Sequence, residues 1–171
     1  MLLFTCENLY QMVTADYNDG NELDFGYDSL FNRIDVEINT VTTDYTVDTN
    51  GMNQYGSVGS DSLGYDNNGN LTDDGTYLYY YDCENRLIDV NDSSDNTIVS
   101  FAYDAFGRRV SKTVHDNPDV VTRYCYDGDQ VIAEYDGSGN LLKFYIYGPG
   151  IDEPVMIYNV SAASIYLFIY V

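Results

Sequence analysis

Tryptophan is absent from the 171 residues, and histidine occurs once, at His115. Basic residues are scarce: 7 Lys and Arg stand against 28 Asp and Glu, for a net charge of −21. Such a surface repels the phosphates of nucleic acids and of anionic lipids, so neither nucleic-acid binding nor membrane insertion is expected. The acidity reads as a solvating surface. A D-x-[DN]-x-[DN]-G calcium loop closed by Glu is missing; DTNG (48–51) and DNNG (66–69) match only part of it and read as turns. The three cysteines, Cys6, Cys83 and Cys125, lie far apart and form no C-x-x-C pair, which excludes the common zinc and redox motifs. Their odd number argues against a disulfide framework, and they read as core or surface thiols. No cofactor is expected.

Long apolar runs are missing too. The stretch SIYLFIYV (164–171) is far short of the roughly 20 residues that span a bilayer. MLLFTCENLY (1–10) has no basic n-region, so a secretory signal is not expected. The sequons at Asn70, Asn91 and Asn159 read as chance. GSGN and YGPG have neither a following helix nor the GKS or GKT of a phosphate loop. For nucleophilic catalysis a base must sit beside Ser, Cys or Thr. His115 falls in TVHDNPD, at a strand end before a Pro loop, and reads as a surface histidine. The carboxylates are too numerous for any one pair to mark an acid–base site. No catalytic or metal-binding residue is expected.

What the chain does have is tyrosine. It carries 19 Tyr and 7 Phe, and 44% of its residues are hydrophobic. A Tyr ring is apolar while its hydroxyl wants a partner when buried, which suits half-wet sheet surfaces. Tyr, Phe, Val, Ile and Thr favour strands, and Asn, Asp and Gly favour turns. No helical pattern of useful length is present. The fold class expected is all-β, built from antiparallel hairpins.

The tyrosines are not scattered. Tyr-Asp occurs six times, starting at Tyr27, Tyr65, Tyr81, Tyr103, Tyr126 and Tyr135. Four occurrences share one frame: YDNNGNL (65–71), YDCENRL (81–87), YDAFGRR (103–109) and YDGSGNL (135–141). The recurring positions are Tyr65, Asp66, Gly69, Asn70 and Leu71; Tyr81, Asp82, Asn85, Arg86 and Leu87; Tyr103, Asp104, Gly107 and Arg108; and Tyr135, Asp136, Gly139, Asn140 and Leu141. YDSLFNRI (27–34) fits with one residue inserted. YDGDQVI (126–132) keeps only the Tyr-Asp, and DYTVDTNGMNQY (44–55) has room for a degenerate copy. In this frame Tyr ends a strand, and Asp accepts a bond from the backbone two residues on. Gly or Asn then takes φ > 0 and reverses the chain. The flanks agree. TYLYYYD (76–82) and TIVSFAYD (97–104) run strand-like into a Tyr-Asp, and RRVSKTV (108–114) alternates. VVTRYCY (120–126), VIAEYD (131–136) and LLKFYIYG (141–148) read as three antiparallel strands.

These segments, in this order and closed by YIYGPGIDEPV, resemble the Rhs, or YD-repeat, family over Tyr45 to about Pro154, in particular its repeat-associated core. The resemblance implies hairpins joined edge to edge into a long sheet that spirals into a hollow shell, as in the teneurin YD shell. In the bacterial members the shell can enclose a variable C-terminal toxin. It also implies a secreted or cell-surface location. The family's core runs on past a D-x-L-G-S-like segment to an Asp-rich cleavage region and the toxin. This chain stops at IYLFIYV, so it reads as a fragment, and those features are assigned to no residue here.

The expectation is therefore a non-enzymatic structural repeat segment of a YD shell, enclosing or presenting a polypeptide such as a toxin. Its partners would be flanking YD repeats and that polypeptide. The domain reading is a poorly defined β segment at 1–44, a repeat region at 45–158 and a truncated strand at 159–171. Arg86, Arg108 and Arg109 are expected to pair with acids of neighbouring hairpins. The alternative is a glycan- or protein-binding module using Tyr77, Tyr79, Tyr81, Tyr145 and Tyr147, whose period-2 spacing puts each set on one face.

Overall fold

The computed structural model describes residues 3–6, 11–17, 20–150, 153–160 and 162–167. Part of the chain's start, Ile151 and Asp152 of the YGPGIDEP ending, and the last residues of SIYLFIYV lie outside this set. The described residues are all-β, with no helix, and the strands form two antiparallel sheets. The chain divides into two compact units, Met1–Thr76 and Tyr77–Val171.

The first unit carries β1 (Leu3–Cys6), β2 (Met12–Asp16), β3 (Glu22–Tyr27), β4 (Arg33–Ile38), β5 (Val41–Val47), β6 (Tyr55–Val58), β7 (Asp61–Ser62), β8 (Gly64–Tyr65) and β9 (Leu71–Asp73). β1 to β7 run as a meander, each strand hydrogen-bonded to the next in sequence. The second unit carries β10 (Leu78–Tyr81), β11 (Leu87–Asn91), β12 (Thr97–Tyr103), β13 (Arg109–Val114), β14 (Val120–Asp127), β15 (Gln130–Asp136), β16 (Leu141–Tyr147), β17 (Pro154–Asn159) and β18 (Ser164–Leu167), again paired in sequence order. Sequential antiparallel pairing follows from the short connections, which leave a strand no neighbour but the preceding one.

The hydrophobic core is thin. Among the described residues, the buried apolar side chains are Ala15, Val36 and Ala133. Large apolar residues stay exposed, among them Val41 at 68% and Leu167 at 70%. Most tyrosines are half-buried, which is what a ring with one polar end tolerates. Little burial energy is therefore available, and the turns and cross-strand bonds matter more than in a two-layer domain.

Each Tyr-Asp turn is entered through a β-bulge at its tyrosine. Tyr81 pairs with Leu87 while Tyr80 pairs with Asp89, leaving Ile88 unopposed. The same two-against-one step leaves Ile34, Thr72, Val110, Ile132, Leu142 and Val155 unopposed beside Tyr27, Tyr65, Tyr103, Tyr126, Tyr135 and Tyr147. A bulge increases local twist and re-aims a side chain. Here it recurs at one position of the frame, so the hairpins closed by a Tyr-Asp turn share this step, whereas β4–β5, β6–β7, β13–β14 and β17–β18 pair without one. The sequence carries no direct sign of it, because a bulge shows only against the partner strand.

Candidate functional site

The feature that recurs in this protein is the Tyr-Asp turn, and its geometry is built on the aspartate. In YDCENRL the Asp82 N–H donates to the Arg86 carbonyl at 3.0 Å, and the Asn85 N–H donates to the Asp82 carbonyl at 3.0 Å. One carboxylate oxygen of Asp82 accepts from the N–H of Glu84 at 2.8 Å and of Arg86 at 3.0 Å. The other accepts from Arg86 Nε at 2.7 Å, with a second guanidinium nitrogen at 2.6 Å. One side chain thus ties down the whole loop, which is why Asp and not Asn recurs there. Asn85 takes φ 60° to close it, in the left-handed region that Asn and Gly tolerate.

YDAFGRR repeats these bonds with Asp104, Gly107 and Arg108. In YDNNGNL and YDGSGNL an Asn replaces the Arg. Asn70 Nδ2 donates to Asp66 at 2.9 Å and Asn140 Nδ2 to Asp136 at 2.8 Å. All four carboxyls are held below the ordinary carboxylate range. For Asp66 and Asp136 the side-chain bond from Asn70 or Asn140 leads. For Asp82 the Arg86 N–H leads. Around Asp104 desolvation pushes upward, and the N–H and guanidinium of Arg108 together outweigh it.

Tyrosine hydroxyls link one hairpin to another. Tyr103 OH donates to the Leu87 carbonyl at 2.7 Å, and Tyr126 OH to the Arg109 carbonyl at 2.8 Å. Tyr147 OH reaches Val131, Tyr65 OH reaches Tyr55 and Tyr27 OH reaches Met12, each at a backbone carbonyl. Leu87 and Arg109 each close a frame, so these two hydroxyls bond the ends of frames earlier in the chain. The arginines stack on the same rings. The Arg86 guanidinium lies 5.0 Å from the Tyr103 ring centroid and that of Arg108 4.9 Å from Tyr126. The Tyr103 and Tyr126 latches thus combine a hydroxyl–carbonyl bond with a cation over the ring face.

Several sequence expectations change. YDSLFNRI has no insertion. Asp28 makes the full set of bonds to Leu30, Asn32 and Phe31, and Phe31 itself occupies the left-handed position at φ 68°. The misalignment arose because Phe does not announce a positive φ. Arg86 and Arg108 pair with the acids of their own turns, not of neighbours, because the frame wraps their side chains back onto the aspartate. Arg109 lies over the Phe101 and Tyr124 rings. A further copy went unread at NDSSDNT (91–97): Asp92 bonds Ser94 and Asn96 in the same pattern, Asp95 takes φ 64°, and buried Asn91 stands where Tyr is expected. The frame D-x-x-[NDG]-N, searched without its Tyr, would have found it. The degenerate copy within 44–55 is a looser turn from Asp48 to Gln54.

YDGDQVI closes as a two-residue hairpin instead, with Asp127 opposite Gln130 and Gly128 at φ 58°. The three cysteines are free and exposed. Of the proposed tyrosine faces, Tyr145 and Tyr147 do share one, their ring centroids 6.4 Å apart. Their hydroxyls are already engaged, Tyr145 by Glu134 and Tyr147 by Val131. Tyr77 precedes β10 and is 41% exposed. His115 follows β13, and its N–H donates to the Ile98 carbonyl at 2.9 Å.

No family model matches the chain. It is similar to the protein named tRNA nuclease WapA of Bacillus subtilis (strain 168) and to the tRNA3(Ser)-specific nuclease WapA of Bacillus spizizenii. Each is 37% identical over 145 residues, which is 82% of this chain and 6% of the relative. The tRNA(Glu)-specific nuclease WapA of Bacillus subtilis subsp. natto aligns with the same identity and coverage. Among solved structures, TcdB2-TccC3-TEV superposes with a TM-score of 0.47 at 13% identity, covering 93% of this chain and 11% of that one. The Photorhabdus luminescens Tc holotoxin pore gives 0.48 at 12% identity, covering 93% and 12%.

These relatives correct one expectation. The chain was read as a non-enzymatic structural segment, and the proteins it matches over most of its length are named as nucleases. The physical reason is coverage: the chain spans about 6% of the curated relatives it matches, so the acids, bases and nucleophiles of these 171 residues do not report on the rest of such a protein. Their likeness supports the repeat-family reading at the level of the family, and it places the chain beside a short stretch of nucleases named for tRNA.

Proposed function

We propose that this chain is part of a nuclease that acts on tRNA, in which the stapled Tyr-Asp sheet stands with further repeats and a nuclease segment of the same polypeptide. The observation that carries this reading is the 37% identity over 145 residues to WapA nucleases. The repeated turn geometry supports it, because the chain holds a hairpin array in which tyrosine hydroxyls bond the ends of earlier frames. With a net charge of −21 the chain's own surface is a poor partner for tRNA phosphates, so the contact to tRNA belongs to the nuclease segment.

The test is to express the whole gene product in which this chain stands and incubate it with total tRNA. Denaturing gels of end-labelled tRNA are expected to show discrete cleavage products. Intact tRNA after incubation with the folded product, with and without added magnesium, would overturn the reading.

A further inference from the structure

Three side chains from separate positions meet at one end of the β12–β13–β14 region, and none of them belongs to the Tyr-Asp frame. Ser100 lies in β12, paired opposite Thr113 of β13. His115 continues β13 by one residue, its backbone paired with Ile98, so His115 and Ser100 emerge on the same face of the sheet. Asp119 sits at the far end of the short loop that leads into β14. Ser100 Oγ lies 2.8 Å from His115 Nε2. The other ring nitrogen, Nδ1, lies 3.4 Å from an Asp119 carboxylate oxygen.

This is a directed arrangement. A carboxylate facing Nδ1 favours the tautomer with its proton on Nδ1, which leaves Nε2 unprotonated and able to accept the serine proton. The His115 side chain is 34% exposed and that of Asp119 is 52% exposed, so small molecules can approach. Asp119 also lines a recess of about 260 Å³ with Val120, Val121, Asp136, Gly137 and Ser138.

We propose that Ser100, His115 and Asp119 form a nucleophilic serine site that accepts acyl groups from small activated esters. Ser100 Oγ attacks the ester carbonyl as its proton passes to His115 Nε2. The new Oγ–C bond forms and the ester C–O bond breaks. The leaving alcohol takes the proton from His115. Water, activated by the same imidazole, then releases the acid and restores Ser100. Ser100 and His115 are the catalytic residues, and Asp119 is a positioning residue that holds the ring. No cofactor or oxidant is needed. The site does not depend on the nuclease reading.

The test uses the 171-residue chain and a fluorescent alkyl fluorophosphonate. Here the Oγ–P bond forms, P–F breaks, and fluoride leaves while His115 takes the proton. Peptide mapping is expected to find the adduct on Ser100. Ser100→Ala should remove it, while Ser111→Ala, a serine on the neighbouring strand, should leave it. His115→Gln should slow labelling about a hundredfold, the scale of a positioned general base. Asp119→Asn should slow it, with Asp119→Glu restoring the rate. Far-UV circular dichroism of each variant shows that the sheet is intact. Native protein that labels no faster than urea-unfolded protein would overturn the proposal. So would an adduct away from Ser100, or an unchanged rate in folded His115→Gln.

Discussion

The latch between hairpins can be tested by removing one oxygen. Tyr103→Phe keeps the ring, and with it the aromatic face 5.0 Å from the Arg86 guanidinium. It deletes only the hydroxyl that donates to the Leu87 carbonyl at 2.7 Å. A net hydrogen bond contributes about 0.5–1.5 kcal/mol, and a half-buried carbonyl left without that partner adds some desolvation cost. Leu87 and Tyr103 are both half-buried, so water compensates only partly. The expected loss is about 1 kcal/mol. For a unit of this size the urea dependence is roughly 1 kcal/mol/M, so the midpoint should fall by about 1 M. Far-UV circular dichroism during urea unfolding measures it. Tyr166→Phe, at a ring 55% exposed in the same unit, is the control and should move the midpoint little. If Tyr103→Phe leaves the midpoint where Tyr166→Phe does, the hydroxyl latch does not hold the hairpins together, and the reasoning fails.

Two further predictions concern the turns. Phe31→Gly should be close to neutral, because relief of a strained φ offsets the greater backbone freedom of Gly, whereas Asn32→Gly should destabilise by about 1 kcal/mol through backbone entropy and lost amide bonds; thermal melts that rank the two the other way would restore the inserted alignment. The turn aspartates should also titrate low. Asp66, Asp82 and Asp136 have folded pKa values below the ordinary 3.8, so the stability they contribute is present above pH 3.8 and is lost as pH falls through their lower folded values. Carboxyl-carbon NMR titrations should give midpoints below 3.8, and a midpoint at or above it would show that the turn bonds are not formed.

Much of the hairpin array was legible because its signals are local. An Asp that folds back on its own loop, followed by Gly or Asn, acts within seven residues, and those residues are adjacent in the chain. The strands β14, β15 and β16 were readable for the same reason: alternating aromatic and β-branched runs stand between short polar turns. Phe31 and Asn91 were misread because each fills a frame position with an atypical residue, and only the backbone conformation shows that the turn is kept.

The remaining features depend on partners distant in sequence. The bulge beside each tyrosine exists only relative to the next strand. The hydroxyl latch from Tyr103 to Leu87 crosses sixteen residues, and the stacking of Arg86 on Tyr103 crosses a similar distance. The sequence placed His115 at a strand end, but the antiparallel register of β12 and β13 brings Ser100 to its ring, and the return of the chain into β14 brings Asp119 to the other side. Composition and spacing thus determined the all-β class, the turn frame and most strand positions, since each acts over a few bonds. Tertiary pairing decided which residues meet across the hairpins, because strand register sets those neighbours.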